Sequence, residues 1–250
     1  MNKSRIIISD PHGCYKTLMA LIAQFPPGVS ITFAGDLIDR GFESSKIVKF
    51  VRENGHDCVR GNHEQMMIEE LQFETTYIGE ERPFADEREG IWLMNGGDAT
   101  MYSYLTESEN STGDLVKTRT YDIESLKKDL EWMKTLPYFL EYKELVDDKG
   151  QHLLVTHSTA AEVWDERNNE DLHRFYSNIL WERKAVPKKI KGIFNIYGHT
   201  PQKTKALVRA HFACIDTGAC FNRGDYGKMT GYQFPEGILY VQKNIEGEDP

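Results

Sequence analysis

Short apolar runs alternate with amphipathic stretches over the first third of the chain. Residues 5–9 carry Ile6, Ile7 and Ile8 in a run that predicts a strand, and residues 16–25 set Leu18, Leu21 and Ile22 on one face of a predicted helix. Pro26, Pro27 and Gly28 end that helix. A second strand is predicted over residues 30–34, a helix over Ser44–Glu53 that stops near Gly55, a third strand over 56–60 and a helix from Glu64 onward. This βαβαβ rhythm predicts an α/β fold.

Residues 72–138 break the rhythm. No strand pattern stands out there, while residues 123–135 keep a helical period through Leu126, Leu130 and Met133 and stop at Pro137, so the stretch reads as a helical insertion. Residues 79–90 and 106–113, acidic and interrupted by glycine, read as solvated loops. Beyond the insertion, residues 139–146 and 152–156 flank Asp147-Asp148-Lys149-Gly150 and predict an antiparallel hairpin. Residues 193–197, 205–215 and 237–241 are strand-like, with Gly218, Gly224, Gly227 and Gly231 marking tight connections, and the acidic residues 246–250 read as a frayed end.

Length and composition narrow the class. With 250 residues the chain can bury one real core and is short for two, so residues 1–250 are expected to form one domain containing the 72–138 insertion. Hydrophobic residues at 40% and charged residues at 28% exclude a disordered or fibrous chain. No apolar run is long enough to span a bilayer, and the isoleucine run is too brief for a signal-peptide core, which leaves the cytoplasm as the expected location. Acidic residues exceed basic ones, 39 against 30, so no global field draws the protein to nucleic acid or an anionic membrane, and neither is expected as a partner. Any phosphate site has to be locally positive. Cys14, Cys58, Cys214 and Cys220 form no CxxC pair and read as reduced thiols.

The chemistry sits at strand ends. Asp10-Pro11-His12-Gly13, Gly35-Asp36-Leu37-Ile38-Asp39-Arg40-Gly41 and Gly61-Asn62-His63-Glu64 each follow a predicted strand, where α/β folds build their sites. Asp10, Asp36 and Asn62 hold the same place in three successive units, so their side chains should converge. Thr156-His157-Ser158 and Gly198-His199-Thr200 also follow predicted strands. Three oxygen ligands and three imidazoles (His12, His157, His199) suit two divalent ions, with Asp36 the natural bridge. The absence of thiolates argues against structural zinc and leaves manganese, iron or catalytic zinc. His56, His152, His173 and His211 lack such context and read as surface or packed side chains.

The ordered set resembles the metallophosphoesterase signature, and the Gly35–Gly41 and Arg60-Gly61-Asn62-His63-Glu64 segments resemble the phosphoprotein phosphatase family, in particular its bacterial and phage-type serine/threonine members. The resemblance implies a calcineurin-like four-layer sandwich of two mixed β-sheets flanked by helices. It assigns Asp10, His12 and Asp36 to one metal and Asp36, Asn62, His157 and His199 to the other, the pair sharing a bridging hydroxide. Manganese is the first expectation for both. Trp92-Leu93-Met94-Asn95-Gly96-Gly97-Asp98-Ala99-Thr100 and Ile179-Leu180-Trp181-Glu182-Arg183 resemble further segments of the small phosphatases, which carries Arg183 over as a phosphate ligand. Pro11 departs from the branched apolar residue more usual there, and the insertion takes no part in the metal motifs.

The implied reaction is in-line hydrolysis of a phosphate monoester on a protein or small molecule. Arg40 and Arg183, with Arg60 as a further candidate, would grip the phosphoryl group, and His63 oriented by Asp39 would protonate the leaving group. Two competitors remain. Symmetrical diadenosine tetraphosphatases share the metal motifs but typically have alanine where Asp39 stands and aspartate where Glu64 stands, so both positions side with protein phosphatases. A catalytically silent phosphate-binding scaffold is the other, and the intact ligands and His63 speak against it.

Overall fold

The computed structural model describes residues 4–74, 90–108, 118–221 and 223–247. Its first half runs β1 (Arg5–Ile8), α1 (Tyr15–Ile22), β2 (Ser30–Phe33), α2 (Ser44–Glu53), β3 (Asp57–Cys58) and α3 (Asn62–Glu74). A π-helical turn at Leu93–Gly97 leads into α4 (Asp98–Tyr102), then β4 (Leu105–Ser108), β5 (Thr118–Tyr121) and α5 (Ile123–Lys134). The second half supplies β6 (Phe139–Val146), β7 (His152–Thr156), α6 (His173–Trp181), β8 (Ile193–Tyr197), β9 (Leu207–Val208), β10 (Phe212–Cys214), β11 (Lys228–Phe234) and β12 (Ile238–Lys243).

Two five-stranded mixed sheets result, ordered β12-β11-β1-β2-β3 and β6-β7-β8-β10-β9. β1, β2 and β3 are mutually parallel, as are β7, β8 and β10, while the outer strands pair antiparallel. Alternation along each strand sorts side chains between layers. Ile6 and Ile8 pack with Leu18, Leu21, Ile47, Val51, Leu126 and Leu130 against the helices, whereas Ile7 joins Leu153, Val155, Phe194, Ile196 and Phe234 between the sheets. Leu154 and Ile193 face the other way, onto Phe175 and Ile179 of α6. The order is therefore helix, sheet, sheet, helix, as the resemblance implies.

Three readings need correction. The insertion is not wholly helical, because β4 and β5 form a separate antiparallel ribbon inside it. Four-residue strands with no third partner leave little pattern in the sequence, and residues 106–108, read as loop, belong to β4. Residues 75–89 and 109–117, which hold most of both expected loops, lie outside the described residues. Residues 205–215 are not one strand but two, with Ala213 opposite Val208 and Cys214 opposite Leu207. β11, read as glycine-marked connections, is a seven-residue strand between β1 and β12 and is buried at all but its first residue. Burial on both faces removes the polar–apolar alternation that marks a half-exposed strand.

α5 is capped by Asp122, whose carboxylate accepts from the Ser125 amide at 3.0 Å. It is tied inward by Asp129, which accepts from Arg52 Nε of α2 at 3.0 Å and from the Tyr104 hydroxyl at 2.8 Å. All four cysteines are free, and no helix among the described residues is long and apolar enough to cross a membrane.

Because Ile7 fills the layer between the sheets, Ile7→Ala should cost about 2–5 kcal/mol and Ile7→Val only about 0.5–1.5. Urea denaturation of the two variants measures this. Equal and small losses would mean the sheets repack freely over that position.

Candidate dinuclear metal site

Parallel strands deliver the expected ligands to one edge. Asp10 and His12 follow β1, Asp36 follows β2, Asn62 opens α3 directly after β3, His157 follows β7 and His199 follows β8. All six are buried. Of the seven described non-glycine residues with positive φ, six are Asp10, His12, Asp36, Asp39, Arg40 and His199. Side chains disfavour that region, and residues held there cluster at functional sites, where the surroundings over-determine the backbone.

One group has the geometry of a cation shell. His157 Nε2 lies 2.8 Å from Asn62 Oδ1, 3.2 Å from His199 Nδ1 and 3.4 Å from Asp36 Oδ1, and His199 Nδ1 lies 2.9 Å from Asn62 Oδ1. Bonds of about 2.0–2.2 Å to a common ion would separate neighbouring ligand atoms by about 3–3.6 Å. His157 Nδ1 donates to the Ala34 carbonyl at 2.8 Å, so the neutral ring turns the lone pair of Nε2 inward. Burial lowers the pKa of His157 and brings that of His199 to about 3, which keeps both imidazoles unprotonated. Lone pairs thus converge where a divalent ion fits.

A second group shares Asp36. His12 Nε2 and His63 Nε2 lie 3.5 and 3.9 Å from Asp36 Oδ2, and His12 Nδ1 donates to the Ile38 carbonyl at 2.8 Å. Burial, reinforced by the Arg40 charge, lowers the pKa of His12. Asp10, which the resemblance places in this shell, instead turns both oxygens to the His199 amide at 3.1 Å and stands outside the close trio. Burial and the neighbouring carboxylates of Asp216 and Asp36 raise its pKa. Oxygen and imidazole donors around a shared carboxylate have the chemistry to hold two divalent ions, one beside His12, Asp36 and His63 and one beside Asp36, His157 and His199.

On the far side of its ring, His63 donates through Nδ1 to Asp39 Oδ2 at 2.5 Å, with both side chains buried. Burial opposes the imidazolium, but the Asp36 and Asp39 carboxylates outweigh it and raise the pKa of His63. Arg40 lies across this face, with Nη1 2.8 Å from His12 Nε2 and Nη2 3.1 Å from His63 Nε2. Arg183 is exposed just beyond α6, close enough for its charge to lower the pKa of His157 and His199. Arg60 donates to Gln65 Oε1 at 2.9 Å, the Tyr138 hydroxyl at 3.1 Å and the Lys134 carbonyl at 2.7 Å. Those contacts tie α3 to the end of α5.

Sequence reading missed two buried carboxylates. Glu64, used only as a family marker, accepts from the Asp36, Leu37 and Gly61 amides at 2.9, 2.7 and 2.8 Å and so locks the β2 loop to the β3 loop. Burial next to Asp36 raises its pKa to about 7. Asp216, just past β10, is buried among Asp10 and Asp36, and its only sequence signal was its place after a strand-like run. His152 pairs with Glu141 at 2.7 Å, and His56 packs against Phe33 and Phe50, as expected of histidines outside the site.

The calcineurin-like phosphoesterase family profile matches residues 4–203. Serine/threonine-protein phosphatase 1 of Salmonella typhimurium is 28% identical over 223 residues, 86% of either chain. The asymmetrical bis(5'-nucleosyl)-tetraphosphatase PrpE of a Geobacillus species is 26% identical over 259 residues, covering 92% of this chain and 90% of that one. Among solved structures, a Saccharomyces cerevisiae protein serine/threonine phosphatase superposes over 98% of this chain and 81% of its own with a TM-score of 0.57 at 14% identity.

Asp36→Asn removes the one anion common to both groups, so it should loosen both ions. Metal analysis after dialysis against a weak chelator should find less than one ion per chain. Two ions retained at wild-type affinity would show that Asp36 does not bridge.

Proposed function

The chain belongs to the calcineurin-like phosphoesterase family, and on that premise we propose that it is a serine/threonine protein phosphatase of the phosphoprotein phosphatase type, working in the cytoplasm with two manganese ions. Iron and zinc suit the same oxygen and imidazole donors. The observation that carries the proposal is that Asp36 belongs to both ligand groups while its Oδ2 lies 3.9 Å from an imidazole backed by Asp39.

Two divalent ions held there supply charge neutralisation at phosphoryl oxygens and a water of lowered pKa. The chain's own residues do the rest. Arg40 and Arg183 present guanidinium forks to the phosphoryl oxygens, whose charge rises as the bond breaks. His63 gives a proton from Nε2 to the leaving oxygen, and Asp39 orients the ring through Nδ1. A serine or threonine alkoxide needs that proton. A cavity of about 780 Å³ is lined by Arg40 together with Lys16, Phe42, Lys46 and Tyr102, and by none of the candidate metal ligands.

A second reading is favoured by the likeness to asymmetrical bis(5'-nucleosyl)-tetraphosphatases over 92% of the chain. Asp39 and Glu64 set the chain apart from the symmetrical hydrolases, and both side chains are tied into the site by several hydrogen bonds.

Ranking phosphoserine, phosphothreonine and phosphotyrosine peptides with diadenosine tetraphosphate by kcat/KM should put the first two ahead. A lead for the tetraphosphate would replace the protein phosphatase reading. His63→Asn should keep both ions yet lose about 10²–10⁴ in kcat on phosphoserine peptides. Its loss on para-nitrophenyl phosphate, whose leaving group departs as a stable anion, should be clearly smaller. Equal losses on both would place His63 at the nucleophile or the phosphoryl group.

A further inference from the structure

Among the described residues, the segment between α3 and β6 contributes no candidate metal ligand, yet it reaches the centre of the site. Asp39 Oδ2 faces His63, while Asp39 Oδ1 accepts from Trp92 Nε1 at 2.9 Å and from the Thr100 hydroxyl at 2.6 Å. The division is specific, since one oxygen serves the imidazole and the other serves the insertion. Thr100 Oγ1 also accepts from the Asp39 amide at 2.8 Å, so a single hydroxyl grips both the backbone and the side chain of Asp39. Trp92 and Thr100 are fully buried, and they lie 53 and 61 residues from Asp39.

The backbone is held as well. Asp39 and Arg40 are consecutive residues at φ +73° and +70°, a pairing that side chains disfavour by about 1–2 kcal/mol per residue. The Arg40 amide donates to the Gly96 carbonyl at 3.1 Å. A Cβ on Gly96, itself at φ +102°, would stand 2.9 Å from that amide nitrogen, and a Cβ on Gly97 would stand 2.6 Å from the Trp92 ring. Both glycines of the Asn95-Gly96-Gly97 motif are thereby accounted for, one by Arg40 and the other by Trp92. The segment has its own anchor: Ser45 of α2 donates through its amide to Ser103 Oγ at 3.0 Å and through its hydroxyl to the Ser103 carbonyl at 2.6 Å.

We propose that Trp92 and Thr100 are positioning residues of the proposed proton donor, holding Asp39 so that Oδ2 meets His63 Nδ1 and Arg40 faces the phosphate, and that Gly96 and Gly97 are required for this grip. The insertion is then a working wall of the catalytic centre. This rests on reading His63 as the proton donor, and the two can fail separately.

Thr100→Val, Thr100→Ser and Trp92→Phe are measured in metal-loaded protein, each alone and combined with Asp39→Asn. Thr100→Val removes the hydroxyl that donates to Oδ1 and accepts from the Asp39 amide, and Trp92→Phe removes the indole donor. Both keep most of the volume, and each should lower kcat on phosphoserine peptides about tenfold with KM little changed and both ions retained. Loss on para-nitrophenyl phosphate should be smaller, and Thr100→Ser should recover most of the Thr100→Val loss. On the Asp39→Asn background the same changes should add almost nothing, because residues acting through one partner are not additive. Wild-type kcat in both single variants, or losses that persist in full on Asp39→Asn, would overturn the proposal. That cycle decides the positioning role even if His63→Asn shows no difference between the two substrates, a result that would remove only the proton-donor reading. If Trp92→Phe is too unstable to assay, the Thr100 pair decides alone.

Discussion

A buried carboxylate governs this site. Asp36 is 2% exposed, and an ionised carboxylate out of water costs several kcal/mol unless it is paired. Burial alone would raise its pKa, but the His63 imidazole, which the neighbouring carboxylates keep protonated, favours its charged form. Its Oδ1 also receives the His63 amide at 3.0 Å. The nearest side chains turn lone pairs toward a common space, and divalent cations are the complement that such a donor set is built for.

Holding the carboxylate there requires loops from several strands to agree in position. Glu64 does this for two of them by accepting three backbone amides, so the ends of β2 and β3 are joined through one side chain. His157 and His12 do it for others by donating to the carbonyls of Ala34 and Ile38. Six of the seven described non-glycine positive-φ residues fall in these loops because ladder hydrogen bonds no longer dictate the backbone there. The sheets supply rigidity, and the loop contacts supply position.

Substrate recognition depends on what surrounds that shared centre. The relatives include protein phosphatases and dinucleoside polyphosphate hydrolases, so the family's metal motifs alone do not select between them. The cavity at Arg40 is bounded in part by Tyr102, Ser103 and Leu105 of the insertion. The segment that grips Asp39 therefore also lines the cavity beside Arg40.

How much of this was legible follows from the range of each interaction. Residues 5–60 were readable because periodicity and proline or glycine stops are local signals, and the boundaries of α2 were read without error. The ligand motifs were readable because each is a short run at a strand end. β11 was hidden because burial on both faces erases alternation, and the β4–β5 ribbon because four-residue strands carry too little pattern. By itself the sequence determined the α/β class, the six candidate ligands and the His63–Asp39 pairing. Only the tertiary structure decided that Arg60 serves as a tie, that Asp10 turns to the His199 amide, and that Trp92 and Thr100 hold Asp39. Each of these depends on a hydrogen bond between groups that chain topology alone brings together, and such bonds leave no periodic trace in the sequence.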